Sequence, residues 1–129
     1  MDDQQRHEEG LALRRTVLGE AYVERSLQRR NAFNTDFQDL ITRYAWGEVW
    51  TRPGLDRRTR SLITMAMLIA LNRDAEFRLH VRASRGNGVS REELKELLLQ
   101  AAIYSGVPAA NSAVHSAEEV LAEMDAEQQ

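Results

Sequence analysis

Apolar residues recur at helical spacing along most of the chain, and no stretch alternates with period two. Leu13, Val17 and Leu18, then Tyr22, Val23 and Leu27, predict two short helices between residues 11 and 30, broken near Gly19. Asn34 or Thr35 can cap a third, whose apolar stripe Phe37, Leu40, Ile41 and Tyr44 follows i, i+3, i+4, i+7 and ends near Gly47. Thr51-Arg52-Pro53-Gly54 reads as a turn. Asp56 then opens a helix to about Asn72 that is apolar nearly all round beyond Arg60, so it belongs at a domain centre or in a subunit interface. The next helix carries Glu76 and His80 and stops at Gly86-Asn87-Gly88. Ser90 with Glu93 forms a capping box for a helix directing Leu94, Leu97, Leu98 and Ala101 inward. Gly106 closes it, and Pro108 suits the first turn of a last helix that buries Ala110, Ala113, Val114, Ala117, Val120, Leu121 and Met124. The expectation is an all-α bundle of six to seven helices over residues 11–126, with residues 1–10 as a frayed polar tail.

Composition narrows the chemistry. The chain has 129 residues, 43% hydrophobic and 29% charged, which suits one globular domain. A net charge of −3 gives no general attraction for nucleic acid. The absence of cysteine removes disulfides, thiolate metal sites, thiol peroxidase chemistry and cysteine nucleophiles together. The polar, acidic start is unlike a signal peptide, and the longest apolar stretch, near Leu62 to Leu71, is too short to span a bilayer. A cytoplasmic protein without membrane contact is expected. All basic residues but Lys95 are arginines, which grip carboxylates with a rigid fork, so an anionic small molecule fits the composition.

A few polar residues stand where the pattern turns apolar. Glu76 and His80 are four apart, with Phe77, Val81 and Ser84 to one side and Leu79 and Ala83 to the other. A partly buried ionisable pair needs something to satisfy it, so it is either a structural hydrogen-bonded pair or a site. Glu48 continues the stripe past Tyr44; there, burial and the negative helix end would raise its pKa, unless the helix stops at Gly47 and turns it into solvent. Arg52 follows in the turn near Trp50 and Pro53, where its guanidinium could face the same pocket as Glu48. Arg57, Arg58 and Arg60, if they face the core, need acidic partners or an anionic ligand. His7 belongs to the tail, His115 lies opposite its helix's apolar stripe, and Lys95 among glutamates reads as an ordinary protonated lysine. A single His–carboxylate pair falls short of a metal site. No cofactor is expected.

Several blocks occur in order: Trp46-Gly47-Glu48-Val49-Trp50-Thr51-Arg52-Pro53-Gly54-Leu55, Arg60-Ser61-Leu62-Ile63-Thr64, Glu76-Phe77-Arg78-Leu79-His80-Val81, Asn87-Gly88-Val89-Ser90-Arg91-Glu92-Glu93-Leu94 and Tyr104-Ser105-Gly106-Val107-Pro108. Together, over roughly residues 10–125, the chain resembles the carboxymuconolactone decarboxylase family of the alkylhydroperoxidase-D-like superfamily. The resemblance implies an all-helical protomer in a ring-like homohexamer, a trimer of dimers, with sites near subunit contacts. It also implies a step of the protocatechuate branch of the β-ketoadipate pathway, in which 4-carboxymuconolactone loses CO2 to give β-ketoadipate enol-lactone. The peroxidase relatives carry Cys-x-x-Cys and a later histidine. Here that histidine is His80, Glu76 takes the second cysteine's place, and Ser61 stands where those relatives have an upstream glutamate.

Such a substrate carries its own electron sink. The scissile carboxylate is vinylogous to the lactone carbonyl, so loss of CO2 leaves a dienolate. The enzyme must bind two carboxylates, stabilise charge on the lactone oxygen and return a proton to the ring. On that basis His80 is expected to donate a proton, or a hydrogen bond to the dienolate oxygen, with Glu76 orienting its ring. Glu48 is the competing proton donor. Arg52, with Trp50 beside it, is expected to hold a substrate carboxylate.

Overall fold

A computed structural model describes residues 1–128 of the protein. Among these residues there are seven α-helices, one π-helical stretch, one 3-10 turn and no strand, as the all-α expectation required. They group into two compact units, Met1–Asp56 and the remainder from Arg57.

The first unit begins earlier than the polar sequence suggested. Helix α1 runs Asp3–Leu18 and is closed at its start by a capping box between Asp2 and Gln5. Residues 3–10, read as a frayed tail, are therefore helical. Gly10 is the reason they stay in place: α1 crosses the stretch after α3 so closely that a Cβ on Gly10 would lie 2.1 Å from the carbonyl oxygen of Thr42, and one on Gly47 would lie 2.2 Å from that of Arg6. His7 is held too, with Nε2 3.3 Å from Asp39 Oδ1. Gly19, at φ 96°, ends α1 and starts α2 (Glu20–Gln28), so the expected break holds.

Helix α3 (Thr35–Ile41) passes without interruption into π-helical turns over Thr42–Val49. Asn34 precedes α3 but does not cap it; its Oδ1 accepts instead from the Asn31 amide. The helical path runs past Gly47 to Val49, and the stripe Phe37, Leu40, Ile41 and Tyr44 is exposed, Phe37 by 65%. A 3.6-residue periodicity identifies a face, not what covers it.

In the second unit, α4 (Arg57–Ala70) buries Ser61, Met65 and Ile69 but leaves Met67 59% and Leu71 65% exposed. This helix is therefore buried on one face and not all round. Helix α5 (Asp74–Ser84), α6 (Arg91–Tyr104) and α7 (Val107–Glu127) complete a core that includes Met65, Phe77, Val81, Leu94, Val120 and Met124. The predicted punctuation holds: the 3-10 turn Arg85–Asn87 with Gly88 at φ 87°, the Ser90–Glu93 capping box, and Pro108 in the first turn of α7. Arginines lace the surface of this unit. Arg78 pairs with Asp74 and Glu119, Arg82 with Glu123 and Glu127, and Arg58 with Glu93. Exposed pairs of this kind contribute little each, so apolar burial holds the unit. No described helix is long and apolar enough to cross a membrane.

Candidate active site

In the second unit, α5 turns Phe77, His80, Val81 and Ser84 to its buried side. His80 is 9% exposed, whereas Glu76, one turn earlier, is exposed. The pair lies on one side of the helix, as the spacing predicts. Glu76 acts on the ring through its negative charge. Burial pushes the His80 pKa below its ordinary value of 6.5, and the negative charge of Glu76 offsets only part of that. Near neutral pH the ring is uncharged.

This has a consequence for stability. An unfolded chain accepts a proton on His80 below about pH 6.5, while the folded protein resists it. Stability is therefore complete above that pH and falls as the pH drops toward the depressed folded value. Between pH 7.5 and 5.5, His80→Gln is expected to lose less melting temperature than the parent protein. Parallel thermal melts at the two pH values check this, and equal losses would contradict it.

In the first unit, the π-helical stretch carries Trp46, Glu48 and, just beyond, Trp50. Its wider i→i+5 turns break the 3.6-residue extrapolation from Tyr44 to Glu48, so Glu48 does not continue into an apolar face. Its side chain is 42% exposed, with Arg6 Nε 3.2 Å from Oε2 and Arg52 Nη1 3.9 Å from Oε1. Two settings were expected for this carboxylate, an apolar face or solvent; it is partly exposed, and its neighbours are cationic. The expected neighbourhood of Glu48 and Arg52 is present. Trp46 is buried, and the half-buried Trp50 ring stands 5.0 Å from it at a 30° tilt.

Arg6 is the residue that sequence reasoning missed, because it lay in the supposed tail. Its Nη1 is 3.2 Å from Asp3 Oδ1, its guanidinium lies 5.6 Å from the centre of the Tyr44 ring, and Tyr44 donates its hydroxyl to Asp3 at 3.2 Å. The Asp2-x-x-Gln5 capping pattern could have revealed its helix. Other candidates fall outside these clusters. His115 is exposed as expected, and Lys95 pairs with Glu92 at 3.0 Å, which raises its pKa and keeps it a cation. Ser61 is fully buried on α4. A groove of about 690 Å³ between α4 and α6, lined by Leu62, Ile63, Ala66, Leu97 and Tyr104, contains neither His80 nor Glu76.

The sequence matches the profile of the carboxymuconolactone decarboxylase family over residues 35–119. The chain belongs to that family. It is 56% identical over 124 residues to the 4-carboxymuconolactone decarboxylase of Acinetobacter baylyi, covering 96% of this chain and 92% of that protein. It is 41% identical over 117 residues to a nitrosuccinic acid decarboxylase of Metarhizium robertsii, covering 91% of this chain and 82% of the relative. A 4-carboxymuconolactone decarboxylase sequence from Pseudomonas putida is 50% identical over 48 residues, 37% of this chain and all of that sequence.

Proposed function

We propose that this protein is a carboxy-lyase that decarboxylates 4-carboxymuconolactone to β-ketoadipate enol-lactone, the step found in the protocatechuate branch of the β-ketoadipate pathway. The observation that carries this reading is the 56% identity, across nearly the whole of both chains, to a 4-carboxymuconolactone decarboxylase. The residues suit the chemistry. Because the leaving electrons spread onto the lactone carbonyl, no metal or organic cofactor is needed as a sink.

His80 supplies the N–H that stabilises the dienolate oxygen. A ring kept neutral by burial is better placed to give this hydrogen bond than to act as a strong acid, as in other enzymes that use neutral imidazole as an electrophile. Glu76 biases the ring by its charge. Arg52 takes a substrate carboxylate beside Trp50, and delivery of the proton to carbon lies between His80 and Glu48.

A homohexamer built as a trimer of dimers belongs to the same proposal. Its support is the neighbouring apolar side chains Ile103 and Tyr104, left 79% and 84% exposed at the end of α6. A cytoplasmic place of work is proposed with it, as suits a diffusible dicarboxylate substrate.

The test is CO2 release, with loss of ultraviolet absorbance, from enzymatically generated 4-carboxymuconolactone, with a chelator present and no cofactor added. Rapid turnover is expected. A folded protein that leaves this lactone untouched would overturn the reading. The second relative makes nitrosuccinic acid the substrate to try beside it, since a nitro group is likewise a built-in electron sink.

A further inference from the structure

The N-terminal helix brings a third charged group to Glu48, and its placement is not that of a loose surface pair. Arg6 lies on the face of α1 that crosses the π-helical stretch. Its carbonyl oxygen is 2.2 Å from where a Cβ on Gly47 would be, so its backbone rests directly on the residue before Glu48. From there the guanidinium uses different atoms for different partners: Nε for Glu48 Oε2 at 3.2 Å and Nη1 for Asp3 Oδ1 at 3.2 Å, with its plane near the Tyr44 ring. Tyr44 closes the loop through its hydroxyl to Asp3. Arg6 therefore holds one oxygen of the carboxylate while Arg52 approaches the other. The Glu48 hydrogen bond is the main cause of the raised Arg6 pKa, so the group stays a cation.

We infer that Arg6 is a positioning residue for the decarboxylation: held by Asp3 and Tyr44, it fixes the Glu48 carboxylate in the orientation that presents Arg52 to a substrate carboxylate. The inference rests on the reading that Glu48 and Arg52 act on the substrate. It makes α1 part of the catalytic apparatus rather than a covering helix. An arginine that served only to pin α1 would affect melting; one that orients Glu48 affects turnover through Glu48.

The experiment is a double-mutant cycle on kcat/KM for 4-carboxymuconolactone with Arg6→Gln, Glu48→Gln and the double variant, beside melting curves of each. Arg6→Gln is expected to lose roughly tenfold or more, as misplacement of a positioned group does. The double variant should be little worse than Glu48→Gln, because Arg6 acts through that carboxylate. Should Arg6→Gln fail to fold, Arg6→Met, which keeps the stem's packing, takes its place in the cycle. Full activity of the Arg6 variant with an impaired Glu48→Gln overturns the inference and leaves the site reading intact. Strictly additive losses overturn it as well. Full activity of Glu48→Gln overturns both.

Discussion

His80→Gln is expected to lower turnover of 4-carboxymuconolactone by at least about 100-fold while the helical fold and a cooperative melt survive. His80 is buried on α5 beside Phe77, Val81 and Ser84, and glutamine keeps comparable bulk and a polar tip there, so the core has little to repack. On the proposed reading, what changes is the group facing the developing dienolate. The imidazole N–H is held in a dry setting, where a hydrogen bond to growing negative charge is strongest and needs no reorganisation. A flexible amide aims its N–H less well and presents a carbonyl oxygen in half of its orientations. A 100-fold loss corresponds to about 2.7 kcal/mol of transition-state stabilisation, within the range for removal of one such donor. His80→Ala should lose more, since it removes the donor altogether. Steady-state rates of both variants, with circular dichroism to establish the fold, check the prediction. A folded His80→Gln protein running near the parental rate would remove His80 from the mechanism.

Most of the second unit was legible because its signals are local. The Ser90–Glu93 box, Gly88 in a left-handed conformation and Pro108 at a helix start each act within four residues, and the apolar positions they frame, such as Leu94 and Met124, are buried as predicted. His80 was recognisable for the same reason, lying between apolar neighbours on its own helix. The first unit was harder because its structure depends on contacts across more than thirty residues. Nothing near Arg6 in sequence announces that Gly10 meets Thr42 or that Arg6 reaches Glu48. A helical stretch of polar residues earns little from its own periodicity, so α1 looked like tail until its partner was in view. The π-helical turns hid the surroundings of Glu48 for a different reason: hydrophobic periodicity assumes a constant pitch, and a change from i→i+4 to i→i+5 bonding re-aims every later side chain. The exposed Phe37 and Met67 mark a third limit, since an apolar stripe reports that a face wants cover without saying which surface supplies it.

Gly10→Ala should show how tightly the first unit is built, and its sign is the informative part. In a free helix alanine is favoured over glycine by roughly 1 kcal/mol, and at a mid-helix position with room for a methyl group the substitution would stabilise. Here the added carbon would sit 2.1 Å from the Thr42 carbonyl oxygen and 2.8 Å from the Gly47 amide nitrogen, against the 3.4–4 Å of ordinary contact. Both obstacles are backbone, so no rotamer change relieves them. The α1 helix must move off the π-helical stretch by more than 1 Å, at the upper end of the 1–3 kcal/mol typical of overpacking, and the movement also loosens the Arg6–Glu48 pair. The net expectation is a destabilisation of about 2 kcal/mol, a fall in melting temperature on the order of 5–10 °C for a chain of this size. Gly54→Ala, where an added carbon meets nothing within 4 Å, is the control and should melt close to the parent. A Gly10→Ala protein as stable as that control would mean that α1 does not pack against residues 42–47 as described, and the position assigned to Arg6 would fall with it.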